Sequence, residues 1–109
     1  MKSVDLSDCV TEAQWQRTVM ECAAWQGWRV YHVPDSRRVT DSGFPDLVCV
    51  HPDRGEVVWL ELKTNKGRVK PTQREWLAAL RKAGQRAYVA RPRDVEKVEA
   101  LFQGQEVEW

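Results

Sequence analysis

The chain has 109 residues, of which 42% are hydrophobic and 30% charged, a composition typical of one small globular domain. It has no apolar run near the roughly 18 residues of a membrane span, and it does not begin like a secretion signal, which argues against membrane and exported classes. Its three cysteines, Cys9, Cys22 and Cys49, lack disulfide or zinc spacing, which favours reduced thiols in a cytoplasmic protein.

The net charge of +1 conceals a basic block. Residues 63–93 carry ten Lys or Arg and one acid, Glu75, whereas residues 1–62 and 94–109 each have a balance of −4. Such density suits a polyanion, because phosphate neutralisation is the usual source of nucleic-acid affinity. A solvated helix face flanked by loops explains the same run, and both interpretations stay open at this point.

Capping and alternation patterns predict the elements of the first half. Thr11 and Gln14 form a capping box that opens a helix over residues 12–26, which Gly27 ends. The aromatic and β-branched alternation of residues 28–33 predicts a strand. A polar loop follows, in which Arg37 and Arg38 are an exposed partner contact or only a soluble tip. Residues 46–50 and 57–63 predict two more strands, joined as a hairpin through the turn "HPDRGE".

The second half predicts a helix, a strand and a helix. Thr72 and Glu75 resemble a second capping box that opens a helix over residues 73–83. Residues 86–90 predict a fourth strand, and Asp94 is placed to cap a last helix over residues 95–102. The order predicts an α/β fold in a single domain, 1–109. Its small mixed sheet has helices on both faces, and the fourth strand returns parallel to an earlier one. Four tryptophans, Trp15, Trp28, Trp59 and Trp76, are predicted in the core, whereas Trp25 is expected to be partly exposed.

Charged residues at the ends of two predicted buried strands are the main functional signal. Glu61 and Lys63 share one strand face with apolar Val57 and Trp59, so the carboxylate needs a cation or strong hydrogen bonds. A structural Glu61–Lys63 ion pair would satisfy it. However, Asp46 opens the neighbouring strand and can meet Glu61 at the same end of the hairpin. Two carboxylates near water favour a hard divalent cation, with the lysine orienting or helping to deprotonate a water.

Pro45-Asp46 with Glu61-Leu62-Lys63 resembles the PD-(D/E)xK nuclease signature. Together with "GFPDLV", "ELK", "TNKGRVK" and "TQREWLAAL", it resembles the VRR-NUC family in register from Thr11 to Arg91. The resemblance implies a restriction-endonuclease-like αβββαβ core and an Mg²⁺- or Mn²⁺-dependent endonuclease that leaves a 5′-phosphate and a 3′-hydroxyl. The chain is similar to the compact stand-alone form of the family that is found in phages, and such a protein would work in the host cytoplasm. The resemblance further implies branched DNA such as Holliday junctions or flaps as the substrate, because the family shares its core with Holliday-junction resolvases. The small size of the chain favours a homodimer, as do the two symmetry-related sites of relatives that cut branched DNA.

The resemblance also implies residue roles. Glu12, Asp46, Glu61 and the Leu62 carbonyl would hold metal, and Asp46, Glu61, Lys63 and Gln73 would act in catalysis. Glu12 and Gln73 have simpler explanations as a helix-dipole partner and a first-turn polar residue. Gln16 and Arg91 are weaker candidates for the same site. Four cations beside the site and the second helix's N-terminus would contact DNA phosphates: Lys66, Arg68, Lys70 and Arg74.

Two other readings of the sequence remain open. One is a nucleic-acid-binding accessory module that has lost catalysis, and the other is a structural protein whose carboxylates only pair with lysines. Neither His32 nor His51 has a placed Ser or Cys nucleophile, and no phosphate-binding loop of Walker type is present.

Overall fold

A computed structural model describes residues 5–34 and 43–109. The described helices and strands are, in chain order, α1 (Glu12–Trp25), β1 (Arg29–His32), β2 (Leu47–His51), β3 (Glu56–Leu62), α2 (Pro71–Lys82), β4 (Arg86–Ala90) and α3 (Val95–Phe102). Short 3₁₀ turns at Leu6–Cys9 and Pro92–Asp94 precede α1 and α3. Arg37 and Arg38 lie outside the described residues. Within the described part, no helix is long and apolar enough to cross a membrane.

The four described strands form one mixed sheet in the order β1-β2-β3-β4. β1 and β2 run antiparallel, as do β2 and β3, which pair Leu47 with Leu60 and His51 with Glu56. β4 returns through α2 and lies parallel to β3, with Leu62 beside Ala90. The sheet confirms the predicted α/β fold, with its antiparallel meander followed by a parallel strand across a helical crossover.

The main core fills one face of the sheet. Alternate residues of β2 and β3, among them Leu47, Cys49, Val58, Leu60 and Leu62, pack there with α1 and α3. The indole N–H of Trp15 donates to Ala90 O at 2.8 Å, and that of Trp28 donates to Phe102 O at 2.8 Å. These two bonds satisfy the polar ends of large buried side chains. The first ties α1 to the end of β4, and the second ties the segment before β1 to the end of α3.

The opposite face lies under α2. Leu77 and Ala87 are buried there, and Phe44 makes edge-to-face contacts with Trp59 and Trp76, at centroid distances of 5.8 and 5.0 Å. Trp59 and Trp76 are half-buried, so their predicted place in the core is wrong. Both rings lie beside Phe44 on this face, outside the main core cluster. Trp25 is 89% exposed.

Helix capping agrees with the sequence prediction for α1 and differs for α2 and α3. Thr11 and Gln14 form the expected reciprocal box, at 3.1 and 2.9 Å. α2 begins at Pro71 with Lys70 as N-cap, so the predicted box of Thr72 and Glu75 is wrong. Proline suits the first helical position because it has no N–H to satisfy.

Asp94 likewise does not cap α3 with its side chain. Its Oδ2 accepts from Arg91 N at 3.0 Å and closes the 3₁₀ turn Pro92–Asp94 instead. The chain is therefore already helical when it reaches Val95, and the polar residue belongs to the preceding turn.

Candidate active site

The hairpin register brings two carboxylates together. Continuing the pairing of Leu47 with Leu60 by one position places Asp46 opposite Glu61, and directly opposed residues of antiparallel strands share a sheet face. Asp46 is half-buried, and its Oδ2 accepts from Leu62 N at 2.8 Å. This bond continues the β2–β3 ladder through a side chain and holds the Asp46 carboxylate beside Glu61.

Glu61 is the most deeply buried charged residue of the described chain, at 2% exposure. Its Oε1 accepts from Gln73 Nε2 at 2.9 Å and lies 3.6 Å from Lys63 Nζ. Its Oε2 is buried and has no hydrogen-bond partner among the described residues. A buried carboxylate oxygen without a partner is costly, so this atom favours either a protonated carboxyl group or a cation ligand.

The electrostatics of Glu61 agree with that geometry. Burial first, then the negative charge of Asp46, and then the hydrogen bond that a protonated Glu61 would donate to Asp46 raise the pKa of Glu61 to about 8, while Lys63 acts in the opposite direction. One lysine therefore does not compensate both carboxylates, and a simple Glu61–Lys63 ion pair does not account for the cluster. A divalent cation would supply the charge that the pair lacks.

Gln73 joins the start of α2 to this cluster. Its Oε1 accepts from Lys70 N at 2.8 Å, so its amide nitrogen must face Glu61. The side chain is buried, at 9% exposure. Gln73 is therefore more than a polar residue of a first helical turn, because one amide caps the helix and also orients the site carboxylate.

Gly43 explains how the chain approaches α2 so closely. A Cβ at this position would collide with the backbone carbonyl of Thr72, in the first turn of the helix. The glycine allows the segment before Asp46 to pass against α2, and the buried Pro45 then leads into β2. Gly43 and Pro45 of the "GFPDLV" motif therefore have a packing role, beside the chemical role predicted for Asp46.

The basic loop, residues 64–70, leaves β3 immediately after Lys63. Lys66, Arg68 and Lys70 are exposed on it, and Arg74 of α2 is exposed next to it, with its Nη2 donating to Val69 O at 3.1 Å. The four residues predicted to contact phosphate therefore lie on the basic loop and the first turn of α2, next to the carboxylate pair.

Glu12 and Gln16 lie on α1, whose first turns approach the end of β4 through Trp15 and Ala90. Glu12 is exposed, Gln16 is half-buried, and no described hydrogen bond or ion pair links Glu12 to Asp46 or Glu61. In residues 5–34 and 43–109, no group of three or more His, Cys, Asp or Glu side chains has the arrangement of a metal site. The described structure thus brings together Asp46, Glu61, Lys63 and Gln73, while the role of Glu12 stays a prediction.

Two residues hold the basic loop, and the sequence patterns did not identify this role for either of them. Arg91, predicted weakly as a site residue, instead donates from Nη1 to Thr64 O at 2.6 Å and Gly67 O at 2.7 Å. Asn65 donates to Ser7 Oγ at 2.6 Å and Asp8 Oδ1 at 2.7 Å, and it accepts from Arg93 N at 2.9 Å. Its only sequence signal was a polar residue in a loop.

The family sequence model of the VRR-NUC domain matches residues 5–94 of this chain. The chain belongs to the VRR-NUC family. This family is part of the PD-(D/E)xK nuclease superfamily, so the resemblance seen in the motifs is confirmed. The matched range contains all of the predicted site residues, from Glu12 to Arg74, as well as Arg91.

Solved structures of two proteins are similar to this VRR-NUC domain. One is described as a VRR_NUC domain protein, with 23% identity, a TM-score of 0.61 and 86% of each chain covered. The other is Hjc of Archaeoglobus fulgidus, a Holliday junction resolvase from an archaeal hyperthermophile. It is 22% identical, with a TM-score of 0.55, covering 72% of this chain and 64% of the resolvase. At these identities the two structures establish the shared fold. No protein of curated function matches the chain.

Proposed function

We propose that this VRR-NUC domain is a divalent-metal-dependent endodeoxyribonuclease that cuts branched DNA, such as Holliday junctions or flaps, as a cytoplasmic homodimer. The observation that carries the proposal is the buried Oε2 of Glu61, without a partner among the described residues and next to Asp46. A site with two converging carboxylates, a lysine and an adjoining basic loop suits phosphodiester hydrolysis better than it suits structural support.

The residues present fit a hard divalent cation such as Mg²⁺ or Mn²⁺. Asp46 and Glu61 offer carboxylate oxygens, which these ions prefer. The Leu62 carbonyl is a third donor: the Leu62 N–H points to Asp46, and the N–H and C=O of one strand residue point to the same side. Glu12 is the candidate for a further ligand. When bound, the ion would supply positive charge that polarises the phosphate and acidifies a water.

The chain's own groups would bind and orient the substrate. The Lys63 ammonium, 3.6 Å from Glu61, can hydrogen-bond the attacking water or a phosphate oxygen. Gln73 holds Glu61 in place. The first intrahelical bond of α2 runs from Arg74 N to Lys70 O, so the N–H groups of Thr72 and Gln73 precede the ladder and face outward along the axis, where phosphate binds well.

The substrate class is inferred from charge and from one relative. The basic loop and Arg74 lie beside the carboxylates, so a DNA backbone bound by them would cross the site. The sequence contains no recognisable base-reading motif, which favours recognition of DNA shape over DNA sequence. The fold is shared with a Holliday junction resolvase, and a four-way junction offers two symmetric cutting positions, which two copies of a 109-residue chain would match.

The test is cleavage of end-labelled four-way junctions, flaps, nicked duplexes, linear duplexes and single strands in Mg²⁺, Mn²⁺ or EDTA. We expect metal-dependent products from the branched substrates, with a 5′-phosphate at the new end, and a dimer mass in solution. Asp46→Asn, Glu61→Gln and Lys63→Ala should each abolish cutting in a folded protein. Asp53→Asn, in the far turn of the hairpin, and Lys82→Ala, at the far end of α2, are the matched controls.

Other outcomes would identify the alternatives. Tight DNA binding without products in either metal would indicate an accessory module that has lost catalysis. Absence of both DNA binding and metal binding would indicate a structural role for the carboxylates. Wild-type rates in any of the three site variants would remove that residue from the proposed catalytic set.

A further inference from the structure

The guanidinium of Arg91, directly after β4, holds the basic loop in a closed turn. Arg91 Nη1 uses its two hydrogens on two carbonyls of the loop, Thr64 O at 2.6 Å and Gly67 O at 2.7 Å, and Gly67 N donates to Thr64 O at 3.2 Å. The three bonds define a tight turn between residues 64 and 67. Because carbonyl acceptors are neutral, these bonds themselves do not neutralise the positive charge of Arg91.

A second anchor ties the same turn to two other segments. The Asn65 amide donates to Ser7 and Asp8 of the N-terminal 3₁₀ turn, and its Oδ1 accepts from Arg93 N. The backbone N–H of Arg93 can only donate, so the amide orientation is determined. The loop is thus attached to segments 57 and 28 positions away in the chain.

The anchored turn also lies on the site lysine. A Cβ placed on Gly67 would be 3.2 Å from Thr64 Oγ1 and 3.5 Å from Lys63 Cβ and Cδ, so the glycine backbone lies over the Lys63 stem. In addition, Lys63 N donates to Ala90 O at 3.2 Å, one residue beyond the strand. A displaced loop would therefore free both the exposed cations and the side chain of Lys63.

We propose that Arg91 is a positioning residue that acts through the basic loop: it holds the turn that directs Lys66 and Arg68 towards DNA phosphates and restricts Lys63. The inference rests on the proposed DNA cleavage. Lys and Arg lose much rotamer and backbone freedom when they bind, and a loop that is already shaped reduces that loss. A guanidinium suits the task because it offers several donors in a rigid plane and stays charged.

Limited trypsin digestion measures the anchoring without any DNA. Trypsin cuts after Lys66 and Arg68, while Pro71 blocks the bond after Lys70. We expect Arg91→Ala to be cut at these two bonds about tenfold faster than wild type, because local opening sets the rate. Arg93→Ala, which removes the same charge two residues away and keeps the backbone bond to Asn65, should be cut like wild type.

A conservative variant guards against a general loss of structure. Arg91→Lys can still donate to carbonyls, so its cutting rate should fall between those of wild type and Arg91→Ala. The melting temperature of each variant is measured alongside. If Arg91→Ala does not fold, the Arg91→Lys rate alone decides, and a rate equal to that of wild type overturns the anchoring. Equal rates for Arg91→Ala and Arg93→Ala overturn it as well.

DNA affinity in EDTA then separates positioning from direct contact. We expect Arg91→Ala to weaken binding of a four-way junction about three- to tenfold. In a protein that already carries Lys66→Ala and Arg68→Ala, the Arg91→Ala change should cause little further loss of affinity, because the residues through which Arg91 acts are already absent. A full additional loss in that background would mean that Arg91 touches phosphate itself, against the proposal. Wild-type protein that neither binds nor cuts DNA would instead end the proposed function, and with it the DNA part of this inference, while the trypsin result would still report the anchor.

Discussion

Gln73 and Glu61 are joined by a 2.9 Å hydrogen bond that links the first turn of α2 to the end of β3. The other end of the same amide accepts from Lys70 N at 2.8 Å, so one side chain both starts a helix and supports a buried carboxylate. Helix capping and site geometry are therefore not independent in this domain, and a change at Gln73 should affect both.

Replacement of Gln73 by Ala should lower stability by about 1–3 kcal/mol, because it leaves a buried carboxylate oxygen and a helix N–H with lost partners. It should also reduce metal affinity or the cleavage rate roughly 10- to 100-fold, which is typical for residues that orient a metal ligand. Urea unfolding and metal titration of the two proteins check this. Glu75→Ala, on the exposed side of the same turn, is the control. A larger loss of stability for Glu75→Ala would favour the Thr72 capping box instead.

The stability of the metal-free protein should fall as pH rises from about 5 to 8. The pKa of Glu61 is raised to about 8 from 4.5, so the native state binds more protons than the unfolded state across that window. The slope from this group is at most about 1.4 kcal/mol per pH unit. Glu61→Gln should remove this component, and the difference between the two unfolding free energies, measured in EDTA from pH 5 to 9, reports it. Parallel curves would show that Glu61 titrates normally.

Binding of a divalent metal to Glu61 should raise the unfolding free energy, and this gain should grow as the pH rises. Ligand linkage predicts a rise of about 2.7 kcal/mol in unfolding free energy at a metal concentration 100 times Kd. Protons compete for Glu61, so the rise should be larger at pH 8 than at pH 6. Thermal melts with Mg²⁺, Mn²⁺ and EDTA measure it. Asp46→Asn and Glu61→Gln should eliminate the effect, whereas Asp53→Asn should keep it. An equal effect in all four proteins would place the metal elsewhere.

The predictions from sequence succeeded where local patterns decide the outcome. Strand alternation and a short turn determine the β2–β3 register, and that register alone brings Asp46 opposite Glu61. The predicted start of α2 was wrong because two signals compete within residues 71–75. Thr72 and Glu75 match a capping pattern, but Pro71 suits the first helical position and Gln73 makes the reciprocal bond. Neither signal is decisive before the packing against Glu61 is known.

The anchors of the basic loop could not be predicted in the same way. Arg91 and Asn65 bond to partners 24 to 58 positions away, and nothing in the local sequence specifies those partners. The half-burial of Trp59 and Trp76 has a similar cause, since it depends on how α2 and the segment with Phe44 pack on the sheet. Contacts set by the approach of separate elements are therefore the part of this site that required the structure.

Phe44 should matter for the site although it carries no charge. It packs against Trp59 and Trp76 two residues before Asp46, so it holds the chain that enters β2. Phe44→Ala should cost about 2–4 kcal/mol, less than a fully buried phenylalanine, and it should weaken metal binding by loosening Asp46. Phe44→Leu should recover most of the metal affinity. Unchanged metal affinity in a destabilised Phe44→Ala protein would restrict this cluster to a packing role.

DNA binding should depend strongly on salt, and the dependence should trace to the basic loop. Each phosphate contact contributes about one unit to the slope of log affinity against log salt. Lys66→Ala and Arg68→Ala should therefore each lower the slope by roughly one unit and weaken binding to all DNA shapes alike, because phosphate contacts carry no sequence information. Lys82→Ala, at the far end of α2, should change neither quantity. Titration of a fluorescent junction from 50 to 200 mM salt measures the slopes, and equal slopes for wild type and the two loop variants would place the DNA path away from the loop.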